Sequence, residues 1–138
     1  MTLYAYTDGA SRGNPGESGI GIILKNDSGS IVYAAGGYIG RATNNIAEYQ
    51  ALIACLTKAM ETDCRKLIVY SDSELMVRQL HGRYRVKDKI LQQHFRKVKE
   101  LLKDASFEFS IVHIARELNA AADELANAGI EAKQPLQV

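Results

Sequence analysis

The chain has 138 residues, of which 46% are hydrophobic and 24% charged, and its formal net charge is +1. That length fits one domain with one core, and the composition excludes disordered, collagen-like and membrane-embedded classes. A charge so near zero sets it apart from strongly basic duplex binders, and Cys55 and Cys64 have no spacing that suggests zinc or a disulfide framework, so both are expected as free thiols.

Residues 2–7 alternate in the manner of a strand, and the run stops at Asp8-Gly9. The glycine-rich stretch that follows, with Gly9, Gly13, Asn14, Pro15, Gly16 and Gly19, predicts a loop. Apolar residues 20–24, a turn at Asn26-Asp27-Ser28-Gly29 and residues 31–39 then predict an antiparallel pair. From residue 44 the period changes: Ile46, Ala47, Tyr49, Leu52, Ile53, Leu56 and Ala59 recur at helical spacing behind Thr43 and Asn44, either of which could cap the helix. Glu48 falls in its first turns. Residues 66–70 form a short apolar run of the kind covered on both faces of a sheet, and it ends at Ser71-Asp72. A short helix is expected over 73–80, stopping near Gly82. A longer one over 88–102 turns Ile90, Leu91, Phe95, Val98, Leu101 and Leu102 inward. Residues 107–111 alternate as a last strand, and a final helix spans 119–128 with Gly129 as its C-cap. Residues 1–130 are therefore read as one domain and 131–138 as a flexible tail. The element order predicts an α/β fold, a mixed sheet with helices on its faces.

Residues 1–8 lack the basic start and apolar block of a signal peptide, and no uncharged apolar run is long enough to span a bilayer, so a cytoplasmic protein with no membrane partner is expected. Basic residues crowd into one segment: Arg83, Arg85, Lys87, Lys89, Arg96, Lys97, Lys99 and Lys103 stand against Asp88 and Glu100. That segment reads either as a phosphate-facing surface or as a solvated helix face.

The acidic residues matter by position. Asp8 and Asp72 end strands, and ligands collect at the carboxyl ends of parallel strands. Glu48 and Asp123 lie early in helices from which each could point across the same strand ends. Four carboxylates buried together without a basic partner repel one another and call for a cation. Hard oxygen ligands suit Mg²⁺ or Mn²⁺, and two such ions can hold an attacking water and a leaving 3′ oxygen in phosphodiester hydrolysis. Singly, each residue also has a plain reading as a turn former or helix-dipole partner.

Taken together, Tyr6-Thr7-Asp8-Gly9-Ala10-Ser11-Arg12-Gly13-Asn14-Pro15-Gly16, Thr43-Asn44-Asn45-Ile46-Ala47-Glu48, Tyr70-Ser71-Asp72-Ser73 and Asn119-Ala120-Ala121-Ala122-Asp123-Glu124-Leu125-Ala126 resemble the signature segments of type 1 ribonuclease H, in order and across nearly the whole chain. The resemblance implies a ribonuclease H-like fold, a five-stranded mixed sheet with three antiparallel strands plus parallel ones and helices on both faces. It also implies an endoribonuclease that uses two Mg²⁺ ions, with Mn²⁺ as a substitute, to hydrolyse the RNA strand of an RNA/DNA hybrid, leaving 5′-phosphate and 3′-hydroxyl ends. Asp8, Glu48, Asp72 and Asp123 would be the catalytic metal ligands. Gly9, Asn14, Thr43, Asn44 and Asn45 would contact substrate, and amides and exposed backbone supply the donors and acceptors that a 2′-hydroxyl can match. A monomer is expected.

The pattern is departed from in places. Many relatives carry a helper histidine in a glycine-containing loop; here His113 has the right offset from Asp123, but its parity with Phe107, Phe109 and Ile111 predicts a core-facing side chain. Arg116 resembles the arginine of the archaeal-like branch and is a candidate catalytic residue on the scissile phosphate, with an ion pair to Glu117 or Glu124 as its alternative. Residues 81–88 are too few for the basic protrusion of several bacterial relatives. Glu74 adds a carboxylate near the groove. These departures leave double-stranded RNA open as a second substrate, and a non-catalytic nucleic-acid-binding module as a rival reading.

Overall fold

In the computed structural model, which describes residues 1–136, strand β1 (Thr2–Gly13) does not stop at Asp8. It continues through the glycine-rich stretch, turns at Asn14-Pro15 and returns as β2 (Gly16–Lys25), so the expected loop is the paired end of a hairpin. Gly9, Gly19 and Gly21 serve packing, whereas Gly13, at φ +123°, stands beside the turn. Asp8 pairs with Gly21 and Gly9 with Ile20, which places Gly9 and Gly21 on opposite faces of the sheet. A methyl group at Gly9 would overlap the backbone of Ala47 and Glu48, and one at Gly21 the carbonyl of Ala122. Bare strand backbone lets a helix approach on each face.

Strand β3 (Ile31–Ala42) follows β2 antiparallel, helix α1 (Asn44–Met60) crosses over, and β4 (Lys66–Ser71) returns parallel to β1. Helix α2 (Glu74–Leu80), helix α3 (Lys89–Asp104), strand β5 (Glu108–His113), a 3-10 turn at Arg116–Asn119 and helix α4 (Ala120–Ala132) complete the order. The sheet reads β3-β2-β1-β4-β5, with β5 parallel to β4. Helix α1 packs on β1 and β2 with α3 beside it, while α4 covers β1, β2 and β3 from the other face. The expected five-stranded mixed sheet with helices on both faces is thus the observed one.

Leu3, Ala5, Ile22, Leu24, Leu67, Val69 and Ile111 of the sheet form the core with Tyr49, Leu52 and Leu56 of α1 and Val98 of α3. Ile90, expected inward, is 51% exposed, and in the same first turn of α3 its neighbour Leu91 is the residue that turns into the core. Gly129 is not a C-cap. It lies inside α4 against the Gly37 backbone, where a methyl group would not fit, and Lys133 takes the left-handed capping conformation. Beyond the helix, the Gln134 carbonyl accepts the Tyr38 N–H at 2.7 Å and Leu136 packs at the edge of the core. Of the stretch expected to be a flexible tail, residues 137–138 lie outside the described residues. Both cysteines are buried and free, and no helix of the described residues is long and apolar enough to cross a membrane.

Gly21→Ala should lower stability by about 1–3 kcal/mol in urea unfolding, because β2 and α4 must separate to admit the methyl group. An unchanged midpoint would show that the close approach is not required.

Candidate active site

The site begins where β4 ends. The parallel ladder between β1 and β4 closes at Thr7 and Ser71, and β1 runs on alone on that side. Asp8 is the next residue of β1 and Asp72 the first residue beyond β4, so two carboxylates arrive side by side. Two of the β1 backbone groups next to the end of that ladder find side-chain partners. Glu48 Oε1 accepts the Gly9 N–H at 2.8 Å, and Asn119 Nδ2 donates to the Thr7 carbonyl at 2.8 Å. The first bond brings in Glu48 from α1. The second pins the start of α4, and with it Asp123 one turn on.

Asp8, Glu48 and Asp72 each offer an oxygen within 4.8 Å of the others. Asp123 lines the same cleft, of about 520 Å³, but stands outside that tight group. Asp8 and Glu48 are buried and Asp72 is half-buried. The ion pairs among the described residues, Arg12–Glu131, Lys58–Glu61 and Arg78–Glu74, involve none of the four. Burial first, then the Glu48 and Asp72 carboxylates, push the Asp8 carboxyl well above the ordinary range. Glu48 is also pushed up, by burial and then by Asp72, although the Gly9 N–H pulls the other way. Close, hard, oxygen-only donors without a cationic side chain are the donor chemistry that Mg²⁺ or Mn²⁺ takes. The residues present fit a divalent cation.

The residues expected to touch substrate sit around this cleft. Asn44 lines it, and its N–H donates to Asn14 Oδ1 at 3.1 Å, which ties the hairpin tip to the start of α1. Thr43 is the cap of that helix, accepting the Ile46 N–H at 3.2 Å, so Asn44 is the first helical residue and not the cap. Asn45 is exposed beside it, and Gly9 lines the cleft with its backbone. Ser11, Ser73 and Asn127 also line the cleft. The sequence reading passed over all three, although Asn127 stands four residues after Asp123 on the same helix face and that spacing could have singled it out.

Comparison with known proteins agrees with this geometry. A family model described as reverse transcriptase-like matches residues 6–129. Ribonuclease HI of Halobacterium salinarum is 42% identical over 129 residues, covering 94% of this chain and 64% of the relative. The crystal structure of RNase H1 from that halophilic archaeon superposes with a TM-score of 0.90 at 41% identity, covering 96% of this chain and 99% of the other. The chain belongs to the ribonuclease H family. A structure of LC11-RNase H1 in complex with RNA/DNA hybrid gives a TM-score of 0.90 at 39% identity, over 95% of this chain and 98% of that one. The chain spans just under two thirds of the length of the Halobacterium relative and 36% of that of several mycobacterial ones.

As a ribonuclease H, the chain differs from the expectation at His113. That residue is exposed and is not part of the core. It is the last residue of edge strand β5, in register with Ser71, and α2 beside it leaves its side chain open in a separate groove that His81 and Arg83 also line. Arg116 does line the acidic cleft, from the 3-10 turn, and no ion pair joins it to Glu117 or Glu124 among the described residues. Between α2 and α3 there is no further helix, and Arg83, Arg85, Lys87 and Lys89 are exposed there or at the start of α3.

The raised carboxyls predict a pH effect with a definite sign. The folded state holds these protons more tightly than the unfolded chain, so without metal the stability they confer is lost as pH rises through and above the ordinary carboxylate range. Asp8→Asn removes one such group. In EDTA the variant should melt higher than wild type, by roughly 2–6 °C at neutral pH, with a gap that narrows as pH falls. A pH-independent gap would contradict the electrostatic account.

Proposed function

We propose that this ribonuclease H is an endoribonuclease that hydrolyses the RNA strand of RNA/DNA hybrids, with Asp8, Glu48, Asp72 and Asp123 holding two divalent cations, Mg²⁺ in preference and Mn²⁺ as a substitute. The observation that carries the proposal is the convergence of Asp8, Glu48 and Asp72 within 4.8 Å, with no cationic side chain among them, at the wall of an open cleft. Bound divalent cations would activate water, stabilise the leaving 3′ oxygen and leave 5′-phosphate and 3′-hydroxyl ends. LC11-RNase H1, solved in complex with RNA/DNA hybrid, supports the substrate assignment through its likeness to this chain.

The chain's own residues would divide the remaining work. Asn14 and Asn44, joined at the cleft rim, present amide donors and acceptors of the type that distinguishes a 2′-hydroxyl from a deoxyribose. The Gly9 backbone, Thr43 and Asn45 would complete that contact along the hybrid. Arg116 faces the cleft without a carboxylate partner and would contact the scissile phosphate as a planar donor. Arg83, Arg85, Lys87 and Lys89 would meet the nucleic-acid backbone and give binding its salt dependence. All of these residues lie within 1–130, the segment we assign as the functional domain. Two buried free cysteines are in keeping with a reducing, cytoplasmic setting.

The test is a panel of RNA/DNA hybrid, RNA duplex and DNA duplex of one sequence, each in Mg²⁺, Mn²⁺ and EDTA. Hybrid cleavage should require metal, and Asp72→Asn should fold normally yet lose about 10³-fold or more in rate, as expected for loss of several kcal/mol of charge stabilisation. Full activity in that variant would sink the metal assignment, and equal cleavage of RNA duplex would widen the substrate range. Arg116→Ala should lower kcat/KM by about 10–100-fold, the worth of a charge-assisted hydrogen bond. Unchanged kinetics would remove Arg116 from the phosphate.

A further inference from the structure

Asp123 is held differently from the other three carboxylates. Asp8, Glu48 and Asp72 lie within 4.8 Å of one another, and Glu48 is also held by the Gly9 N–H, whereas Asp123 stands outside that group on a helix and is only partly buried. The Asp8 carboxyl meets it through a side-chain hydrogen bond, and one residue of its own helix holds it as well. Asn127, four residues later on the same face of α4, donates from Nδ2 to the Asp123 main-chain carbonyl at 3.0 Å and to its Oδ1 at 3.3 Å.

An asparagine amide has two unlike ends, and only the NH₂ end attracts a carboxylate. Its orientation here is fixed at one end by the two Asp123 oxygens and at the other from outside the site. Arg12, near the tip of β1, donates from Nη2 to Asn127 Oδ1 at 3.4 Å and to Glu131 Oε1 at 3.1 Å. A guanidinium has donors and no acceptor, so at that distance it can meet only the carbonyl end of the amide, which leaves the NH₂ end for Asp123. Asp123, Asn127 and Glu131 form one stripe at successive turns of α4, and Arg12 reaches across to it from the first hairpin.

We propose that Asn127 is a positioning residue that aims the Asp123 carboxylate into the metal site, and that Arg12 sets the amide orientation in which it does so. The inference rests on the metal-dependent reading of the cleft given above. The Arg12–Glu131 pair is exposed, with side-chain exposures of 45% and 71%, so its effect on global stability is small. Its consequence is geometric: a hairpin on the substrate side and the carboxylate on α4 are connected through one oriented amide. Partners of this kind, one bond removed from a ligand, change metal affinity by about 10–100-fold when lost.

The experiment uses the full chain without substrate. Isothermal titration with Mn²⁺, melting in EDTA, and the Mg²⁺ concentration dependence of hybrid cleavage are measured for wild type, Asn127→Ala, Asn127→Gln, Arg12→Ala and the Arg12→Ala/Asn127→Ala double variant. Asn127→Ala should bind Mn²⁺ about tenfold more weakly and need correspondingly more Mg²⁺ for half-maximal rate, with its EDTA melting temperature close to wild type. Arg12→Ala should shift affinity in the same direction by a smaller factor, and the double variant should be no worse than Asn127→Ala, since the two act in series. Asn127→Gln, which keeps the amide, should recover part of the loss. Wild-type affinity in Asn127→Ala overturns the proposal, as do shifts that simply add or an affinity loss that tracks a fall in melting temperature. Should Asn127→Ala fail to fold, Arg12→Ala decides by the same affinity readout. If wild type itself takes up no Mn²⁺ and cleaves without metal, the reading of the cleft fails and this inference with it. Metal uptake by wild type with equal uptake by Asn127→Ala removes the inference alone.

Discussion

The site depends on a ladder that ends early. β1 and β4 pair in parallel as far as Thr7 and Ser71, after which β1 continues with β2 and β4 leaves. An interior strand edge with unpaired backbone groups is costly, and such groups are almost always satisfied. Here the Thr7 carbonyl is taken by Asn119 and the Gly9 N–H by Glu48, one partner from each face of the sheet. Asp8 lies between the two bonds. The same two hydrogen bonds that satisfy the open edge therefore set α1 and the start of α4 around the carboxylates, and the glycines of β1 and β2 allow both helices to come close enough.

The arrangement runs against stability. Carboxylates packed together and partly desolvated hold their protons well above the ordinary range, so the charged forms that the proposed metal ligation would need are the disfavoured ones in the absence of a cation. Thr7 Oγ1 and Asn119 Oδ1, beside the site, are buried and have no hydrogen-bond partner among the described residues. Strain and unmet polar groups gather where function is built, and the well-packed core of Leu3, Leu24, Leu52, Leu67 and Val69 offsets them. Metal binding, as proposed, would thus be coupled to folding through one set of carboxylates.

Much of this was legible in the sequence because its signals are local. The abrupt ends of two apolar runs marked Asp8 and Asp72, and helical periodicity put Glu48 and Asp123 in early turns. The rule that ligands collect at the carboxyl ends of parallel strands, and the four signature segments, then brought the carboxylates into one reading. What was misread depended on contacts that composition does not carry. The stretch from Gly9 to Gly19 looked like a loop because glycine permits turns, yet these glycines lie in paired strands, where Gly9 and Gly19 make room for helices and Gly13 and Gly16 flank the hairpin turn. Gly129 looked like a cap and is a packing position against Gly37. His113 has the parity of a core residue, but parity says nothing about where the covering helix ends. The Arg12–Asn127–Asp123 chain joins residues more than a hundred positions apart, and only half of it, the spacing within α4, was visible beforehand.

Anomalous diffraction from crystals soaked in Mn²⁺ tests the central claim most directly, because it locates the ion without reference to activity. The account predicts anomalous density bounded by Asp8, Glu48 and Asp72, with a second site on the Asp123 side when hybrid is present, and its loss in Asp72→Asn. Density elsewhere, or none at a concentration of Mn²⁺ that supports cleavage, would contradict it.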